Sequence, residues 1–151
     1  MDDATANPTA TPLLYMRRRL KAPRELVFRM FVEAAHARHW FCPASMTIEF
    51  CEIDARPGGR YRIGMRNDEG VHVVGGQFRE VMAPERLVMT WVWENGGEAG
   101  QMSLLTFRFK TVPDGTDISL THEFHANPEA SIRHRRGWTG VFENLEGYLA
   151  R

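Results

Sequence analysis

The 151-residue sequence predicts an α+β fold: a curved, seven-stranded antiparallel sheet around one long C-terminal helix, with two short helices after the first strand. Three observations carry this expectation. From about Thr47 to Phe124, apolar residues recur at every second position. Five clusters of Gly, Pro, Asn and Asp interrupt that alternation. Beyond Asn127 the apolar period changes to that of a helix. Period two marks half-buried strands, the polar clusters mark the turns between them, and a period near 3.6 marks an amphipathic helix.

The elements follow in chain order. Residues 1–11 are small and polar, with Pro8, and read as a disordered tail. Residues 12–151 read as a single domain. In the segment Leu13–Leu20, Leu14, Met16, Arg18 and Leu20 share one face, which suits a first strand. Pro23 fits the first position of a helix, where its missing N–H costs nothing. Val27, Phe28, Met30 and Phe31 give that helix its apolar face. A second short helix is expected from Glu33 to about Trp40, ended by Cys42-Pro43.

The five turns are Arg56-Pro57-Gly58-Gly59, Asn67-Asp68-Glu69-Gly70, Ala83-Pro84-Glu85, Glu94-Asn95-Gly96-Gly97 and Pro113-Asp114-Gly115. Between them Tyr61/Ile63/Met65, Leu87/Met89/Trp91/Trp93, Ser103/Leu105/Phe107/Phe109 and Ile118/Leu120/His122/Phe124 alternate. Short connections favour pairing of sequential strands, so these six form a meander. Asn127 caps a final helix with Pro128 at its first turn. Trp138, Val141, Phe142, Leu145, Tyr148 and Leu149 recur along one of its faces. At about 1.5 Å per residue it spans roughly 33 Å, enough to cover a sheet face.

Composition narrows the function. Lys and Arg number 19 and Asp and Glu number 19, so the charge cancels. That disfavours broad nucleic-acid binding, which needs basic surface against phosphates. No apolar run reaches the length of a membrane span, and the N-terminus lacks the apolar core of a signal peptide. Two cysteines make no disulfide framework and suit a reducing compartment, so a cytoplasmic location is expected. Dinucleotide fingerprint, P-loop, G-x-S-x-G elbow and zinc quartet are all lacking. No cofactor and no catalytic residue is assigned.

Several segments together resemble a known family. They are Ala22-Pro23-Arg24-Glu25-Leu26-Val27-Phe28, Trp40, the run Glu52 to Tyr61 containing Arg56-Pro57-Gly58-Gly59, Gly76-Gln77-Phe78-Arg79-Glu80-Val81, and Pro84-Glu85-Arg86-Leu87-Val88-Met89-Thr90-Trp91. Gly115-Thr116, Thr121-His122 and Gly137-Trp138 with Leu145 complete the set. In this order they resemble the activator-of-heat-shock-ATPase homologue family of the START/polyketide-cyclase/birch-allergen-like (SRPBCC) superfamily. The resemblance covers about residues 13–150. It implies a helix-grip fold with a pocket beneath the C-terminal helix.

Individual motifs have two readings each. Arg56-Pro57-Gly58-Gly59 reads as a tight strand connection; no helix N-terminus follows it to make a phosphate cradle. His36 and His39 share a helix face, but no third metal ligand accompanies them, and they read as surface residues. His122 and His125 point to opposite faces of a strand, so only one faces the interior, and Leu120 and Phe124 mark the face of His122 as apolar. Cys42 and Cys51 read as inert. Arg17-Arg18-Arg19-Lys21 and Arg133-His134-Arg135-Arg136 read as solvated, carboxylate-paired faces. Their meeting in space would favour an anionic ligand.

The leading expectation is a binding protein for an apolar or amphipathic small molecule, with no membrane span and no nucleic-acid partner. Its pocket walls are expected from Ile63, Met65, Trp91, Trp93, Phe107, His122, Trp138 and Phe142. One alternative is a cyclase or hydrolase working in the same pocket, with His122 as its titratable group. Another, implied by the resemblance, is a stand-alone interaction domain acting on a heat-shock ATPase. No sequence feature bears on homodimerisation.

Overall fold

The computed structural model describes residues 13–124 and 128–151. The tail expected at 1–11, His125 and the Asn127 cap lie outside the described residues. The elements run β1 (Leu13–Leu20), α1 (Arg24–Val32), α2 (Ala34–Ala37), β2 (Thr47–Ile53), β3 (Arg60–Asn67), β4 (Gly70–Met82), β5 (Arg86–Trp93), β6 (Met102–Val112), β7 (Gly115–Glu123) and α3 (Pro128–Leu149). The seven strands form one antiparallel sheet in the order β1-β7-β6-β5-β4-β3-β2. The meander of β2 to β7 is therefore sequential, and β1 closes it by pairing Leu14 with His122 and Leu20 with Thr116.

Alternation puts Tyr61, Ile63 and Met65 of β3, Leu87, Met89 and Trp91 of β5, and Leu105, Phe107 and Phe109 of β6 in the core. Helix α3 lays Trp138, Val141, Phe142 and Leu145 against them. The turn at Arg56-Pro57-Gly58-Gly59 is structural. Gly58 has a φ of +83°, and a Cβ on Gly59 would stand 2.0 Å from the Asp54 carbonyl oxygen. Hydrogen bonds of 2.8 and 2.9 Å tie this turn to Phe78 on β4.

The α1–α2 region departs from expectation. Pro23 precedes α1 with extended backbone, and its carbonyl accepts the Val27 N–H at 3.0 Å. Helix α2 is four residues long and stops at Ala37, short of Trp40. The reason is burial: Trp40, Phe41 and Cys42 are consecutive and all buried. A regular helix turns about 100° per residue and cannot bring three successive side chains to one face. The chain instead curls, with Cys42 N–H bonded to the Trp40 carbonyl at 2.7 Å.

That curl fills much of the sheet's concave side. Phe31 of α1 is the hub, its ring 4.7 Å from Trp40, 5.8 Å from Phe41, 4.8 Å from Phe107 and 5.2 Å from Phe109. Centroid separations of this kind are typical of offset and edge-to-face aromatic pairs. Packing is therefore dense under α1 and α2, and free space is left near the N-terminal half of α3.

Candidate functional site

A cavity of about 500 Å³ opens between the sheet, the loop at Pro43–Met46 and α3. Its apolar walls are Pro43, Met46, Met65, Trp91, Trp93, Trp138 and Val141. Its mouth carries Glu69, His72, Glu98, Arg133 and His134. Trp91 and Trp93 come from alternate positions of β5 and stand nearly perpendicular, 87° apart with centroids at 5.6 Å. Trp138 of α3 meets Trp91 at 5.2 Å. The three indoles form adjoining walls because strand alternation and helical spacing deliver them to one place.

Five of the eight expected wall residues, Met65, Trp91, Trp93, His122 and Trp138, line this cavity. Ile63, Phe107 and Phe142 are fully buried in the packed core. Phe31 and Phe41 approach the Phe107 ring there. The α1–α2 aromatics occupy that space, which periodicity alone does not reveal.

His122 sits at the back of the cavity, 1% exposed. The indole N–H of Trp138 donates to its Nδ1 at 3.1 Å. Ser103, on the same inner face of β6, has its Oγ 2.8 Å from His122 Nε2 and 3.2 Å from the Trp91 carbonyl oxygen. One assignment satisfies every group: the Ser103 hydroxyl donates to Trp91, and His122 Nε2–H donates to Ser103. His122 is then neutral, with both ring nitrogens engaged. Burial, reinforced by the charge of His134 stacked 5.0 Å away, pushes its pKa down to about 3. A second proton would face the Trp138 N–H. This arrangement ties β6, β7 and α3 together at the back of the cavity, with the Nε2 proton directed at Ser103.

At the mouth Glu98 bridges two α3 residues. Arg133 donates to one carboxylate oxygen and His134 to the other, each at 3.0 Å. Burial alone would raise the Glu98 pKa, but the bonds and charges of Arg133 and His134 hold it below the usual range. His72 contacts the Asn67 side chain at 3.0 Å. In the sequence Arg133-His134 stands out only as part of a basic cluster, and no motif or period marks Glu98, Glu69 or His72.

The remaining candidates lie elsewhere. His36 Nδ1 meets the Tyr148 hydroxyl at 2.8 Å, and His39 stacks on the same ring at 5.3 Å. Burial raises the Cys42 and Cys51 thiols to about 11, which leaves them protonated at neutral pH. The two basic clusters adjoin where Arg135 reaches the Tyr15 carbonyl at 3.5 Å. Three of their charges are paired, Arg17 with Asp117, Arg18 with Glu146 and Arg133 with Glu98. No described helix is long and apolar enough to cross a membrane.

A curved antiparallel sheet gripping a C-terminal helix, with two short helices after β1, is the helix-grip architecture of the SRPBCC superfamily. Within it, the chain belongs to the family of activator of Hsp90 ATPase homolog 1-like proteins, whose model matches residues 21–150. Solved structures agree. An AHSA1 protein from Silicibacter pomeroyi is 27% identical, with a TM-score of 0.81 over 92% of this chain and 98% of that one. A protein from Nitrosomonas europaea is 27% identical, with a TM-score of 0.77 over 91% and 94%. One from Chromobacterium violaceum is 25% identical, with a TM-score of 0.78 over 90% and 96%. No curated protein matches the chain. Family and fold together suggest a ligand-binding domain.

Proposed function

We propose that this protein binds a neutral or amphipathic small molecule with a flat, apolar body, in the cavity between β5 and α3. The observation that carries this reading is the about 500 Å³ of space bounded by three indoles, two methionines, a proline and a valine. Ligand pockets of this kind are mostly apolar, with a few polar groups at the edge to fix orientation. The engaged nitrogens of His122 favour binding over turnover: the titratable group deepest in the wall has its hydrogen bonds satisfied within the protein.

The test is a fluorescence titration of the full chain with 6-propionyl-2-(dimethylamino)naphthalene, a neutral, flat, environment-sensitive dye. Its emission is expected to shift to the blue with a saturable isotherm, and the Trp93→Ala variant is expected to bind at least about fivefold more weakly, since stacking contributes on the order of 1 kcal/mol. Equal affinity in the variant, or no saturable binding by the natural chain, would refute the reading.

A further inference from the structure

We infer that the β5–β6 loop is a lid over this cavity, and that Glu98 is the strap that holds it shut against α3. The inference rests on the binding reading and adds how the site is entered. Three observations carry it.

The loop is built to pivot. Its root is fixed: Asn95 exchanges two side-chain hydrogen bonds with β4, to the Val71 carbonyl at 2.9 Å and from the Val73 N–H at 3.0 Å. Gly100 N–H closes the base on the Trp93 carbonyl at 2.9 Å. Between these points Gly96 and Gly100 have φ of +89° and +78°, and no neighbour lies within 4 Å of where a Cβ would stand on Gly96, Gly97 or Gly100. Backbone of this kind reorients without steric hindrance.

The tip is part of the cavity. Gly97 and Glu98 both line it. Displacing them widens the mouth beside Trp93 while leaving the walls from β3, β5 and α3 in place.

The tip meets α3 through one side chain, while a backbone bridge between Ala99 and Trp93 ties its other side to β5. Among the described residues, the side-chain hydrogen bonds from 96–99 to the rest of the protein all run from Glu98, to Arg133 and to His134. Both are charge-assisted or capable of it, and two such bonds on one carboxylate are geometrically selective as well as strong. The Glu98 side chain is 31% exposed and that of His134 16%, whereas Arg133 is 57% exposed, so the His134 half of the clasp is partly shielded from water and is screened less by salt than the Arg133 half.

The strap acts in the free and the bound protein alike. It therefore sets how fast a ligand enters and leaves. The experiment has two arms, both on the full chain and its Glu98→Ala variant. The first is amide hydrogen exchange. Residues 96–99 are expected to exchange about tenfold faster in the variant, with Gly100, β5, β6 and α3 unchanged, a factor matching the loss of one or two charge-assisted bonds. Unchanged exchange at the tip overturns the strap whether or not a ligand binds. The second arm is stopped-flow mixing with the same neutral dye, on which the Glu98 charge exerts no direct pull. The association rate is expected to rise about tenfold. The Glu98→Ala/Arg133→Ala double variant is expected to add nothing, because the two residues act as one unit. Rates equal to those of the natural chain, with dye still bound, refute the lid and spare the pocket. Dye that fails to bind the natural chain refutes the pocket, and hydrogen exchange alone then decides the strap.

Discussion

His122 gives the sharpest prediction, because its neutrality couples stability to pH. In the folded chain its pKa is about 3, through burial and then the neighbouring His134. In the unfolded chain an imidazole titrates near 6.5. Below that value the unfolded state takes up a proton that the folded state refuses, so stability falls with decreasing pH. The contribution is whole above about pH 6.5 and is lost progressively towards the folded pKa, at about 1.4 kcal/mol per pH unit. Between pH 7 and pH 5 the loss through this one group is therefore about 2 kcal/mol, a sizeable part of the roughly 5–15 kcal/mol of a typical domain. The carboxylates that the fold holds below their usual range, Glu33, Glu49, Glu94, Glu98 and Asp117, act mostly at lower pH, because their unfolded values lie near 4. The assay is urea denaturation followed by tryptophan fluorescence, at pH 7 and pH 5, on the natural chain and on His122→Gln. Glutamine retains an acceptor for Trp138 and a donor for Ser103 but does not titrate. The natural chain is expected to lose about 2 kcal/mol more than the variant over that interval. Equal losses would mean that His122 takes up its proton in the folded state, and would remove the hydrogen-bond assignment on which its role in the wall rests.

Two further predictions test the packing that positions the cavity. Phe31→Ala should cost about 3–5 kcal/mol, measured by the same urea titration, because it removes the ring that contacts Trp40, Phe41, Phe107 and Phe109 together; a loss below about 1 kcal/mol would mean that α1 does not fill the concave side. Gly140→Ala should lower the melting temperature despite alanine's better helix propensity, since the new Cβ would stand 2.6 Å from the Ala44 backbone nitrogen and push α3 off the Pro43–Met46 loop. A cost of about 1–3 kcal/mol is expected for such overpacking, and a neutral or stabilising effect in calorimetry would show that the helix rides free of that loop.

The split between what is legible in the sequence and what is not follows the range of the interactions. Strand alternation is a local property, so it assigns Trp91 with Trp93, and Ser103 with Leu105 and Phe107, to their faces unaided, and helical spacing does the same for Trp138, Val141 and Phe142. The position of the hollow is not local. It depends on Trp40 and Phe41, which lie where no period of 2 or 3.6 holds, because a curl buries consecutive side chains in a way neither a strand nor a helix permits. Once those rings are counted, Phe107 belongs to the solid core and Trp93 to open space, although both occupy inward positions of adjacent strands. The mouth is harder still. Glu98 sits in a glycine-rich turn whose composition predicts only reversal of the chain, and its partners are 35 and 36 residues away. A carboxylate in such a turn is ordinarily solvated. Here the turn meets the first turns of α3, where Arg133 and His134 follow one another and present two donors to a single side chain. The same placement that hides Glu98 from sequence reasoning puts it at the cavity, since it is the point where a glycine-rich connection of the meander meets the element that the sheet grips.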